Sequence, residues 1–325
     1  MRLFSTLSFV SGCTALLGAC AAAPTRHPPD VALSSALDST IVSIAEQAVR
    51  GAIAIDRVWP GFWNPAAFAI YRPDTAIYLF STDVAPVGFK PVNDARLPAV
   101  LRHSWFVLEA SSRGLRGGAV PIDPNAKRLA MAVRLPQGSV WPLEFLLHES
   151  FHGWQFRNFA NLFDPGLPQH LPDSLRLSGN QHLLETERRL LVAALASKSN
   201  SRQTVRDYLG ARRARLSDSP PLAGRIEQAA ERREGTAEYV GLVGALAATN
   251  GGMDAAVDSI VTRIRSDERW GSETLTPREH LSTRAYRTGS AMALLLDRLG
   301  CDDWRARVSA GAFLEAQLGA CIGLP

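Results

Sequence analysis

The 325-residue sequence predicts an α+β protein, a strand-rich N-terminal lobe followed by a mostly helical one. Two observations carry this. Short apolar runs separated by turn residues fill the segment from about 59 to 135. Beyond Pro142, apolar residues recur with helical spacing almost to the C-terminus. The hydrophobic share of 46% and charged share of 20% are those of an ordinary globular chain, so neither lobe is expected to be disordered.

The first residues stand apart. Arg2 is the only charge ahead of an apolar, small-residue stretch over 3–23, which reads as a secretory signal peptide. Leu17-Gly18-Ala19-Cys20 resembles the lipobox of bacterial lipoproteins, which implies a leader over 1–19 and lipid on Cys20. Val10-Ser11-Gly12-Cys13 resembles a lipobox too, but leaves a very short apolar core; plain cleavage after Ala21-Ala22-Ala23 is the other alternative. Residues 20–34 are a Pro-rich, polar linker, and 35–325 form a single domain, with lobes over 35–140 and 141–325. No later apolar run reaches membrane-spanning length, so a lipid is the only membrane attachment expected.

Within the domain, 35–56 reads as an amphipathic helix. The runs 67–71 and 76–81 flank Arg72-Pro73-Asp74, a turn signal, and form a hairpin. Segments 98–110 and 126–135 continue the strands around a Gly-rich loop at 114–118. Pro142 suits the first turn of a helix that runs through Phe156. Further helices are expected at about 179–198, 201–216, 222–248, 252–266, 277–299 and 303–319. The net charge is only +4 and arginines are scattered among acids, so no basic block supports a nucleic-acid partner. Cys301 and Cys321 could pair in an exported compartment. A straight helix would hold them about 30 Å apart, so pairing requires a helical hairpin, with Ser309-Ala310-Gly311 as its turn.

The chemistry lies in His148-Glu149-Ser150-Phe151-His152, an HExxH motif on the helix that starts at Pro142. Residues i and i+4 share a helix face, so His148 and His152 can aim two imidazoles at one cation. Glu149 is turned about 100° from His148, within reach of a zinc-activated water rather than of the metal, as a general base. The plain alternative is two structural histidines one turn apart. A third ligand is available in Glu234. Glu231, Glu234 and Glu238 share one helical face, which could equally be solvated or paired with arginine. The apolar run 239–248 and Gly235 argue for a packed helix with a close neighbour. No serine-nucleophile elbow, P-loop or dinucleotide fingerprint is present. His170, His182 and His280 are single histidines with no partner motif.

HExxH followed by Glu234-Gly235-Thr236-Ala237-Glu238-Tyr239 resembles the gluzincin zinc metallopeptidases, in particular their aminopeptidase-like branch. The fuller pattern is similar to a group of bacterial exported proteins and lipoproteins: Trp59-Pro60-Gly61-Phe62, HExFHxxQ ending at Gln155, a Glu-rich stretch at 185–189, Arg212-Arg213, EGxAEY, Tyr286-Arg287-Thr288-Gly289 and Leu294-Leu295-Leu296-Asp297. The resemblance implies zinc held by His148, His152 and Glu234, with Glu238 orienting a zinc histidine. It further implies a peptide or protein substrate. Tyr286 is either a hydroxyl donor to the oxyanion or a core tyrosine. In the aminopeptidases the third ligand follows the second histidine far sooner than here, where 81 residues intervene. That longer loop costs only about 1.3 kcal/mol, and the inserted helices at 179–216 are expected as a lid or side lobe. The strand that grips a free amine in the aminopeptidases has no counterpart in 110–140, so that specificity is not implied. The competing class is a non-catalytic envelope protein that keeps the scaffold as a binding or structural module.

Overall fold

The computed structural model describes residues 39–63, 67–72, 76–81, 89–92, 94–101, 104–108, 119–121, 129–134, 142–163, 167, 181–197, 201–270, 279 and 281–324. The leader, Cys20, the linker, the 114–118 loop, His170 and His280 lie outside these residues.

The architecture is mostly helical around a small sheet. Helix α1 (Ser39–Arg50) and helix α2 (Ala52–Val58) replace the single helix expected over 35–56. They part at Gly51, where a Cβ would sit 2.3 Å from that of Ala248, so the chain bends over a close neighbour. Asp56 then accepts hydrogen bonds from the amides of Gly61 (3.0 Å) and Trp63 (3.2 Å). Gly61 adopts φ +78°, which makes the turn after Trp59.

Strands β1 (Ala67–Arg72) and β2 (Ala76–Ser81) form the expected antiparallel hairpin, with Ala67 opposite Ser81 and Arg72 opposite Ala76. Strands β3 (Lys90–Pro91), β4 (Ser104–Leu108), β5 (Ala119–Pro121) and β6 (Leu129–Arg134) complete a six-stranded sheet of order β3-β4-β2-β1-β6-β5. β6 runs parallel to β1, with Ala132 opposite Ala69. It is also the strand from which the chain enters helix α3 (Pro142–Asn158), the HExxH helix.

The remaining helices are α4 (Gln181–Ala196), α5 (Ser201–Ser217), α6 (Pro221–Ala230), α7 (Thr236–Ala248), α8 (Met253–Ser266), α9 (Tyr286–Arg298), α10 (Trp304–Ser309) and α11 (Leu314–Cys321). Two of the expected helices contain a π-turn: Glu231–Gly235 joins α6 to α7, and Leu281–Ala285 leads into α9. The expected helix over 303–319 is two helices. Gly311 at φ +117° breaks it and folds α11 back, which brings the Cα atoms of Cys301 and Cys321 to 5.7 Å in a disulfide.

Helices α4 and α5 are the segment expected as a lid or side lobe. Leu184, Leu191, Val205 and Leu209 belong to the central hydrophobic core. Behind them lies a buried charge cluster. Arg212 meets Glu231 at 2.6 Å, Glu315 at 2.8 Å, Glu187 at 3.1 Å and Glu227 at 3.2 Å. Arg215 pairs with Glu227 (2.6 Å) and Glu187, and Arg284 pairs with Glu227 (2.7 Å). These ion pairs tie α4, α5, α6, α11 and the two π-turns to one another. Arg232 makes a second tie by donating to the carbonyls of Ala160 (2.6 Å) and Val308 (2.9 Å), which joins the end of α3 to that of α10.

Candidate metal centre

Glycine sets the approach of the helices that carry the site. A Cβ on Gly241 of α7 would lie 2.7 Å from the Glu144 carbonyl oxygen and 3.1 Å from the His148 Cβ. Only glycine lets α7 lie this close against α3 beside the first histidine. On the other side of α7, a Cβ on Gly235 would lie 2.4 Å from the Gly289 Cα, so α9 is equally close and Tyr286 reaches the same centre.

Three side chains converge. The Nε2 atoms of His148 and His152 lie 3.2 Å apart, and the Glu234 Oε2 lies 3.1 Å from His152 Nε2 and 3.8 Å from His148 Nε2. Tetrahedral zinc with bonds of about 2.0–2.1 Å spans ligand-to-ligand edges of about 3.3 Å, so this triangle has the size of one coordination face. Two imidazoles and a carboxylate are a donor set suited to zinc or a neighbouring divalent metal. Among the described residues this is the one such cluster of three potential ligands.

The acids expected to share one face divide between two environments. Glu231 turns into the buried arginine cluster, where it accepts from Arg212 and from the Thr288 hydroxyl (2.5 Å). Glu234 and Glu238 face the histidines. The π-turn at Glu231–Gly235 inserts an extra residue and shifts the helical phase between them.

Each histidine is held from behind. Gln155 Nε2 donates to the Arg233 carbonyl (2.8 Å) and the Thr236 hydroxyl (2.8 Å), so its Oε1 faces His152 Nδ1 at 2.7 Å. His152 therefore donates from Nδ1 and turns the Nε2 lone pair toward the cluster, a tautomer assigned from this network. His148 Nδ1 lies 3.5 Å from Glu238 Oε2. Glu238 is itself fixed by Arg287 and by Arg263 (2.7 Å), which also grips Glu144 at 2.5 Å. The sequence motifs point to Glu238 but assign no role to Gln155, Arg263, Arg287 or Glu144. Gln155 had a local signal, because it stands three residues after His152 on a helix. The other three partners come from distant segments, and no spacing rule points to them.

The electrostatics suit a cation. Burial alone would lower His148, yet hydrogen bonds to Glu234 and Glu238 and the charges of Glu238 and Glu149 push it up to about 10. Burial opposes ionisation of Glu234, and the two histidines and Arg233 overrule it and hold its pKa far below the carboxylate range. Glu238 falls to about 2 against burial, through His148, Arg287 and Arg263. The centre thus holds the ionised carboxylates of Glu234 and Glu238 against the histidine rings, a field that favours a cation.

Tyr286 lies over His148, with ring centroids 5.5 Å apart and planes 5° from parallel. Burial, the Glu234 charge, a hydrogen bond to Glu234 and the Glu149 charge all raise its pKa, so its hydroxyl remains a donor. Glu149 follows His148 on the exposed side of α3, half-buried, and its charge is felt at both His148 and Tyr286.

No family model, curated protein or solved structure matches the chain.

Proposed function

We propose that this protein is a zinc-dependent metallohydrolase of the gluzincin type, a peptidase that cleaves amide bonds. The observation that carries the reading is the triangle of His148, His152 and Glu234, three ligands with edges of 3.1–3.8 Å. The sheet-bearing segment that leads into the HExxH helix supports the further reading of a strand-rich lobe beside a zincin-like helical lobe. His148, His152 and Glu234 would hold the cation, which would supply a Lewis acid and lower the pKa of a bound water toward neutrality.

The other groups divide the remaining work. Glu149, adjacent to His148 and free of the ligand triangle, takes a proton from the attacking water at its carboxylate and returns it to the leaving amine. Tyr286 keeps its proton and donates a hydrogen bond to the oxygen that gains charge. Glu238 and Gln155 fix the ring orientations of His148 and His152. Residues 17–20 support export and a lipid anchor at Cys20 in a bacterial envelope. The Cys301–Cys321 disulfide suits the same oxidising compartment.

Metal analysis of the purified chain tests the ligand set. One zinc per chain is expected in the wild type, and His148→Ala is expected to retain none. Full zinc retention by His148→Ala would remove the proposed centre.

A further inference from the structure

One turn beyond His152 on α3, about 6 Å along the axis, stands Phe156. It is 50% exposed and packs against Phe163, which is 56% exposed, with ring centroids 5.4 Å apart. Large apolar side chains with this much exposure are few among the described residues. The others are Ile53 and Val100, and only the two phenylalanines make an exposed ring pair. The two half-exposed rings bury one face against each other and still present apolar surface to water, so they mark a place where a ligand would complete the packing.

The pair is connected to the metal centre. The Arg233 guanidinium lies 5.6 Å from the Phe163 ring, and its Nε donates to Glu234 Oε1 at 2.8 Å. Glu234 directs its other oxygen, Oε2, at the histidines. Arg233 is partly exposed and uses only Nε on Glu234, so its terminal N–H groups are not spent on that pair. Along α3 the sequence of groups is therefore Tyr286 over His148, then His152, then the phenylalanine pair with a cation at its edge.

From this arrangement we infer that Phe156, Phe163 and Arg233 form a specificity subsite for a peptide substrate. A large apolar side chain of the peptide lies on the two rings, and Arg233 donates to a main-chain carbonyl of the same peptide. The inference rests on the metallohydrolase reading and names its substrate class: peptides with an aromatic or large aliphatic residue beside the cleaved bond. A patch of two rings is small for a protein partner, and its link through Arg233 to Glu234 places its ligand within reach of the metal centre.

The test uses the full chain carrying Glu149→Gln, so that bound peptide is not consumed. Binding of two dye-labelled pentapeptides, Gly-Gly-Phe-Gly-Gly and Gly-Gly-Ser-Gly-Gly, is read by fluorescence anisotropy. Zinc content is measured on the same samples. The phenylalanine peptide is expected to bind about tenfold more tightly than the serine peptide, and the double substitution Phe156→Ser, Phe163→Ser is expected to bring that ratio close to one. Because both rings are exposed, the fold and the zinc content should stay unchanged. A parent protein with no preference between the peptides, or a double variant that keeps the tenfold ratio, would overturn the subsite. A chain without zinc would instead refute the metal reading, and the peptide ratio would still decide the subsite separately.

Discussion

Gln155 Oε1 faces His152 Nδ1 at 2.7 Å while its amide nitrogen donates to the Arg233 carbonyl and the Thr236 hydroxyl, on the segment that carries Glu234. One side chain thus sets the tautomer of His152 and the position of the segment bearing Glu234, two of the three proposed ligands. Gln155→Leu is expected to weaken zinc affinity by about 10–100-fold. Gln155→Glu, which keeps an acceptor for the Nδ1 proton, should retain most of it. Competition against a coloured chelator measures both. Equal affinity in wild type and Gln155→Leu would show that His152 needs no such partner.

The buried cluster behind the site makes a pH prediction. Four carboxylates, Glu187, Glu227, Glu231 and Glu315, meet three guanidiniums, Arg212, Arg215 and Arg284, so one negative charge is in excess. Burial would raise Glu227, but Arg215, Arg284 and Arg212 hold it far below its usual 4.5. Its stabilisation is complete above that value and is lost as pH falls. Burial, with Glu227 and Glu315 nearby, raises Glu231 to about 7 despite Arg212 and Thr288. Its contribution has the opposite sign, full below 4.5 and lost as pH rises to about 7. Urea midpoints of the metal-free chain, measured from acid to neutral pH, should show Glu231→Gln losing less stability than wild type across that window. Parallel curves would contradict the assignment.

Tyr286 can act on the reaction or on Glu234, and the two roles have different readouts. As the donor to the developing oxyanion, Tyr286→Phe should lower turnover by about 10²-fold with zinc affinity unchanged. Loss of zinc affinity with little change in turnover per bound zinc would make Tyr286 a support for Glu234 instead.

Much of the centre was legible because it is local. Pro142, the i and i+4 histidines and the apolar residues between them specify α3 and its histidine-bearing face without reference to the rest of the chain. Gly235 signalled a close approach, and its neighbour is Gly289 of the Tyr286-Arg287-Thr288-Gly289 motif. Other motif residues also find partners across the fold. Tyr239 donates to Asp297, Trp154 donates to the Gly61 carbonyl at 2.9 Å, and the Trp59 ring packs on Phe151 and Trp304.

What was not legible depends on distant partners or on irregular turns. Arg212 and Arg215 stand on a helix rich in charge, which reads as a solvated surface until Glu187, Glu227 and Glu315 arrive from other segments. The π-turn at Glu231–Gly235 is invisible to a 3.6-residue period, so Glu231 was grouped with Glu234 although it faces away. Within 303–319 the apolar spacing continues through Gly311, so the period alone gives one helix; the cysteine pair is what points to the turn at 309–311, which Gly311 makes with its left-handed backbone.

The most direct test of the whole account is the rate of peptide hydrolysis by zinc-loaded wild type beside zinc-loaded Glu149→Gln, across a broad peptide set. Glu149 is not one of the three converging ligands, so the variant should keep its fold and one zinc per chain. Its carboxylate is the proton carrier of the proposed reaction, so hydrolysis should be almost abolished. Wild type that holds zinc yet cleaves nothing, or a Glu149→Gln chain that cleaves at the wild-type rate, would contradict the account.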